Sequence, residues 1–147
     1  MMQLDTPISG LAHTIQLSVA PVFLLSGVGA FLGVLTNRLA RIIDRTRIVQ
    51  AARPEGPPAG AAAAELAVLR GRARLINRAI GLCTASAVLV ASVVAAIFVG
   101  AIARIDLTML VASTFVAAMV SLIAGLLSFL REIHLLSRHM RATAGRP

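Results

Sequence analysis

Three stretches of this chain are apolar, carry no charge and are long enough to cross a bilayer. They are TIQLSVAPVFLLSGVGAFLGVLTN at 14–37, AIGLCTASAVLVASVVAAIFVGAIA at 79–103 and LTMLVASTFVAAMVSLIAGLLSFL at 107–130. A hydrocarbon core about 30 Å thick takes about 20 helical residues at 1.5 Å rise each. One Arg or Asp at the centre of such a helix costs roughly 2.5–3.5 kcal/mol on insertion, so the lack of any charge is informative. A buried helix of a soluble protein is shorter and amphipathic. The chain is 58% hydrophobic and 14% charged, where a soluble domain has about a quarter of its residues charged. The expected fold class is therefore an all-α membrane protein, with three transmembrane helices in a single membrane domain over 1–147.

Charge fixes the expected orientation. All 14 basic residues are arginine, set against 6 acids. Arginines 38, 41, 45, 47, 53, 70, 72, 74 and 78 fall between the first two apolar runs, 131, 138, 141 and 146 follow the third, and Arg104 alone lies between the second and third. Positive charge collects on the cytoplasmic side. The N-terminus is then expected outside and the C-terminus in the cytoplasm, in a bacterial cytoplasmic (inner) membrane. Residues 1–13 hold no Lys or Arg, so the first run reads as a retained anchor and not as a signal peptide. Asp5 or Thr6 is expected to cap the first helix, with Pro7 in its first turn. In the short turn between the last two runs, Arg104 suits the negative end of one helix and Asp106 the start of the next.

Between the first two runs the periodicity becomes amphipathic. At about 100° per residue, Leu39, Ile42, Ile43, Thr46, Val49 and Gln50 share one arc, bordered by Arg38, Arg41 and Arg45. RPEGPPAG at 53–60 is a turn. A returning helix then places Leu66, Leu69, Ala73, Ile76 and Ile80 on one face, bordered by Arg70, Arg74 and Arg78. Two such stripes about a Pro/Gly turn predict a cytoplasmic antiparallel helical hairpin over 38–78, with a cytoplasmic tail at 131–147. The clusters Asn37-Arg38, Asn77-Arg78 and Arg131-Glu132 are expected at one depth. There Glu132 is expected to meet Arg38 or Arg78, while Asp44 pairs with Arg41 or Arg47 along its own helix. Arg38, Arg41, Arg78 and Arg131 are the expected contacts to anionic headgroups, each contributing about 1 kcal/mol of attraction.

Within the spans, Pro21 deprives the Leu17 carbonyl of its helical donor and predicts a kink. Gln16, Ser18 and Ser26 lie near enough to re-satisfy it, with Gln16 and Ser18 forming a polar seam. Small residues recur four apart, as in Ala117/Ser121/Gly125, and Gly29-x-x-x-Gly33 is the least accidental case. That spacing suits close helix packing within a protomer or between copies.

Enzyme chemistry finds no footing. His13, His134 and His139 do not form a metal-ligand set, and no nucleophile–base pair, phosphate loop or cofactor motif occurs. Cys83, the single cysteine, lies in an apolar run and reads as a small apolar side chain. Nucleic acid is a poor fit, because the basic helices carry no aromatic residue for stacking. No small-molecule substrate is indicated.

The run QLSVAPVFLLSGVGAFLGVLTNRLARIIDRTR, the returning RARLINRAI and the closing FLREI resemble a family of small bacterial three-span membrane proteins. That family is catalogued as a domain of unknown function, number twenty-seven twenty-one. The resemblance covers about residues 8–136 and implies a three-helix fold in the cytoplasmic membrane, with no established activity. Two functional readings follow. The first is a structural or accessory membrane protein, self-associating, whose Arg-rich hairpin faces anionic lipid or a partner. The alternative is a small oligomeric channel or transporter with span one lining the path. The lack of an ionisable group within the spans favours the first.

Overall fold

The computed structural model describes the backbone of residues 7–51 and 60–144 and the side chains of 12–51 and 62–134. Three helices account for nearly all of it: α1, Pro7–Ala51; α2, Ala61–Ala103; and α3, Thr108–Ala144. All three are long and apolar enough to cross a membrane, and only 11–17% of their most apolar windows is buried inside the protein. The remaining apolar surface would drive a soluble protein to aggregate, so these faces belong in lipid or against other helices. The chain reads as a multi-pass membrane protein. At 45 residues, α1 is about 67 Å long, twice what a bilayer core requires. The first apolar run therefore passes without a break into the Arg-bearing segment.

Pro7 opens α1, where a missing N–H does no harm. The expected caps Asp5 and Thr6 lie outside the described residues, as does the 53–60 turn apart from Gly60, which adopts φ 59° just before α2. At the other end of α2, Arg104 takes a left-handed conformation (φ 54°) and the Ile105 N–H closes on the Gly100 carbonyl at 3.2 Å. This is a Schellman-type stop. A β-carbon at Gly100 would stand 3.2 Å from the Ile105 carbonyl oxygen, so any larger residue would press the turn outward by a few tenths of an ångström. Asp106 Oδ1 then accepts the Thr108 N–H at 3.0 Å and caps α3. Hydrogen bonding from Thr108, hydroxyl first and amide second, holds the Asp106 carboxyl below the usual carboxylate range.

The helices pack in alternating directions around α2. Arg45 meets Glu65 and Arg38 comes level with Arg72, so α1 and α2 run antiparallel. Ser86 donates to the Ala118 carbonyl at 2.8 Å and Ser121 to the Leu82 carbonyl at 2.9 Å, so α2 and α3 are antiparallel too. The buried positions recur every seven residues: Val28, Leu35 and Ile42 on α1; Leu69, Ile76, Cys83 and Val90 on α2; Ala118, Gly125 and Glu132 on α3. A seven-residue recurrence keeps one seam facing a partner along helices that coil left-handedly.

That recurrence takes Gly29 and Gly33 out of packing within the protomer and leaves them the other expected role, packing between copies. Gly29 and Gly33 lie about 100° and 140° around α1 from Val28. Both are exposed, and a β-carbon at either would meet nothing within 4 Å. The close approach is instead at Gly125, where a β-carbon would stand 2.8 Å from Cys83 Sγ and 3.3 Å from the Ala79 carbonyl oxygen. Cys83 is thus a packing group between α2 and α3. Gly125→Ala is expected to cost about 1–3 kcal/mol through overpacking, in part recovered by adding Cys83→Ala. Gly29→Ala and Gly33→Ala should leave folding of the protomer unchanged or slightly improved. Thermal unfolding of the variants in micelles checks the contrast.

Candidate functional site

A carboxylate is the one charged group fully buried among the described residues. Glu132 has no solvent exposure and follows directly on the third apolar run. Its Oε1 accepts Arg72 Nε at 2.9 Å and Arg72 Nη2 at 2.8 Å, and its Oε2 accepts Arg38 Nη2 at 2.9 Å. Three charge-assisted bonds therefore fill three of about four acceptor positions on the carboxylate. Phe129, one turn earlier on α3, meets Phe31 edge-to-face at 5.3 Å between ring centroids. The Arg38 guanidinium lies 5.2 Å from the centroid of the same Phe129 ring, within cation–π range. All three helices converge here, with one charged side chain from each.

Of the two expected partners of Glu132, the structure supplies Arg38 and replaces Arg78 by Arg72. Arg72 falls on the buried seven-residue row Arg72, Ala79, Ser86, Val93, whereas Arg78 is about 120° away around α2. Arg78 is also six residues beyond Arg72, about 9 Å further towards the second apolar run. The three polar clusters therefore do not lie at one depth. Arg78 lines a separate small groove with Ser128 and Arg131 on the α2–α3 side.

Asp44 makes no ion pair among the described residues, with Arg41, Arg47 or any other group. An exposed pair along one helix contributes only about 0.2–0.5 kcal/mol, too little to hold two long side chains together. The pair formed in this region crosses between helices, Arg45 Nη2 to Glu65 Oε1 at 2.8 Å. Both members are well exposed, so it adds little stability.

Gln16 and Ser18 do not form a seam. They lie about 160° apart on α1, with Gln16 exposed and Ser18 buried. Ser18 donates to the Thr14 carbonyl and Ser26 to that of Val22, and Gln16 makes no hydrogen bond among the described residues, so none of the three serves the Leu17 carbonyl that Pro21 leaves without a donor. α1 remains one helix through Pro21. His13 and His134 are exposed, and His134 Nδ1 lies 3.3 Å from the Leu130 carbonyl oxygen. The His139 side chain lies outside the described residues.

Beside the clamp, α1 and α2 enclose a groove of about 540 Å³ lined by Asn37, Arg38, Arg41, Arg45 and Arg72, with Val34, Ile42 and Leu69 as its apolar wall. Two of its members, Arg45 and Arg72, played no part in the site expected from sequence. The available signal was the seven-residue row that puts Arg72 among buried residues, where a charge needs a partner.

Removing one partner of a buried pair costs about 3–5 kcal/mol, because the other charge is left uncompensated. Arg38 and Arg72 keep 32% and 19% of their side-chain exposure, which places Glu132→Gln near the lower bound, at about 3 kcal/mol. Arg38→Gln or Arg72→Gln leaves Glu132 one arginine and should cost about 1–2 kcal/mol each. Unfolding midpoints of the three variants at neutral pH test this order.

No curated protein and no solved structure matches the chain. The model of one family matches residues 18–142, a range that takes in both arginines of the clamp, Glu132 and the whole groove. The chain belongs to that family, described as a protein of unknown function (DUF2721).

Proposed function

We propose that this protein is a structural or accessory component of the bacterial cytoplasmic membrane, with no catalytic role. In this reading its N-terminus lies outside. The tail and the arm formed by the ends of α1 and α2 stand in the cytoplasm as an antiparallel hairpin. The Arg-rich faces of that arm meet anionic lipid headgroups or an acidic partner. The observation that carries the reading is the placement of 13 of 14 arginines on one side of the apolar runs. Charge so placed holds a helix bundle in one orientation, and the Glu132 clamp makes the base of the arm stiff. The exposed faces of α1, including Gly29 and Gly33, are open to lipid or to a second copy, so the proposal includes self-association in the membrane.

The orientation is tested with single cysteines in a Cys83→Ser background. Thr6→Cys should react with a membrane-impermeant maleimide applied to intact spheroplasts, and Glu55→Cys only after permeabilisation. The reverse pattern would overturn the topology and with it the cytoplasmic arm.

A further inference from the structure

The groove beside the clamp carries more positive charge than its own acids neutralise. Arg38, Arg41, Arg45 and Arg72 face it from two helices, and the carboxylates bound to them are Glu65 and Glu132. Among the described residues, four guanidiniums against two carboxylates leave an excess of two positive charges. Arg41 makes no hydrogen bond or ion pair among the described residues. Arg38 uses one nitrogen, Nη2, on Glu132 and remains 32% exposed. Asn37 adds a neutral donor on the same wall. Guanidinium forks match the oxygens of a phosphate in pairs, and Glu132 holds two of them at fixed positions before any ligand arrives. Such preorganisation removes much of the entropic cost of binding.

The position of the groove narrows the ligand. Val34, in the first apolar run, lines one end and Arg45 the other, about 16 Å apart along α1. The groove thus straddles the level where the apolar run stops, which is where lipid phosphates lie. No aromatic ring lines it, so nothing is present to stack a nucleobase.

We propose that this groove is a binding site for one phosphate group, in which Arg41 and the free donors of Arg38 and Asn37 hold the phosphate and Glu132 positions the arginines. The inference deepens the proposed lipid-facing role and rests on it, but the site itself does not depend on which side of the membrane the arm occupies. The chemistry is shared by an anionic phospholipid headgroup and a soluble phosphate. The level of the groove makes the headgroup the expected source.

The test uses the full-length protein in micelles, so that membrane orientation plays no part and a failure here is separable from a failure of the topology. Adducts with phosphatidylglycerol and with phosphatidylcholine of the same acyl chains are counted by native mass spectrometry, and inorganic phosphate is titrated in parallel. Arg41→Gln removes a groove arginine that has no native contact. Arg47→Gln removes an exposed arginine of the same helix that does not line the groove. Arg45→Gln serves as a second groove variant. Phosphatidylglycerol should be favoured over phosphatidylcholine, and Arg41→Gln should weaken it about tenfold or more while Arg47→Gln changes it at most about twofold, as a site built on charge-assisted bonds requires. The same pattern for inorganic phosphate, with no headgroup preference, would uphold the site and assign it to a soluble phosphate. Equal losses in the Arg41 and Arg47 variants, or none in either, would show diffuse surface charge and overturn the proposal.

Discussion

A single carboxylate at the end of the third apolar run sets the arrangement of all three helices. Glu132 is fully buried and takes one arginine from α1 and one from α2. Apolar packing alone leaves long helices in lipid free to slide and rotate, since one aliphatic surface is as acceptable as another and lipid tails compete with each of them. A charge that cannot be left without partners has no such freedom. With Glu132 paired, the α1 and α3 registers are fixed against α2, and Phe31 and Phe129 fall into contact one turn away. The serine-to-carbonyl bonds from Ser86 and Ser121 and the close approach at Gly125 then hold the α2–α3 seam further into the apolar zone.

Much of this was legible in the sequence, and the failures share one cause. The three spans follow from uncharged length, and the helices extend beyond them where the amphipathic stripes begin. Glu132 is the one acid in the sequence after Asp106, and Arg38 is a partner within its reach. Arg72 is hidden by the more regular border row Arg70, Arg74, Arg78, four residues apart. The seam follows a seven-residue recurrence, on which Arg72 aligns with Ala79, Ser86 and Val93 and Glu132 with Gly125 and Ala118. The same recurrence turns Gly29 and Gly33 outward and Gly125 inward, although Gly29-x-x-x-Gly33 is the less accidental small-residue pattern. Local spacing finds a stripe. Which stripe meets which neighbour depends on helix register, and register is a property of the assembled bundle.

The charges around the clamp divide into two kinds by solvent exposure. Glu132, with the partly buried Arg38 and Arg72, lies where water screens little, so each lost partner is felt. Arg41, Arg47, Asp44 and the Arg45–Glu65 pair are exposed, and their value to folding is small. Their disposition suits interaction with something outside the chain. An arginine that stabilises nothing internally is free to serve a ligand, and the groove brings Arg41 next to guanidiniums already fixed by Glu132. On the proposed reading, the arginines that fold the bundle and those that bind a ligand stand side by side at the α1–α2 boundary, with Arg38 common to both.

The central claim, that Glu132 is held by compensation between charges and not by its shape alone, is tested most directly by comparing Glu132→Gln with the triple variant Arg38→Gln, Arg72→Gln, Glu132→Gln. Thermal unfolding of both is measured in the same micelles at neutral pH. The account predicts that the triple variant is the more stable of the two, because neutralising the arginines removes the unpaired charge that the single change creates. A triple variant that is less stable than Glu132→Gln by the sum of the separate arginine losses would contradict it.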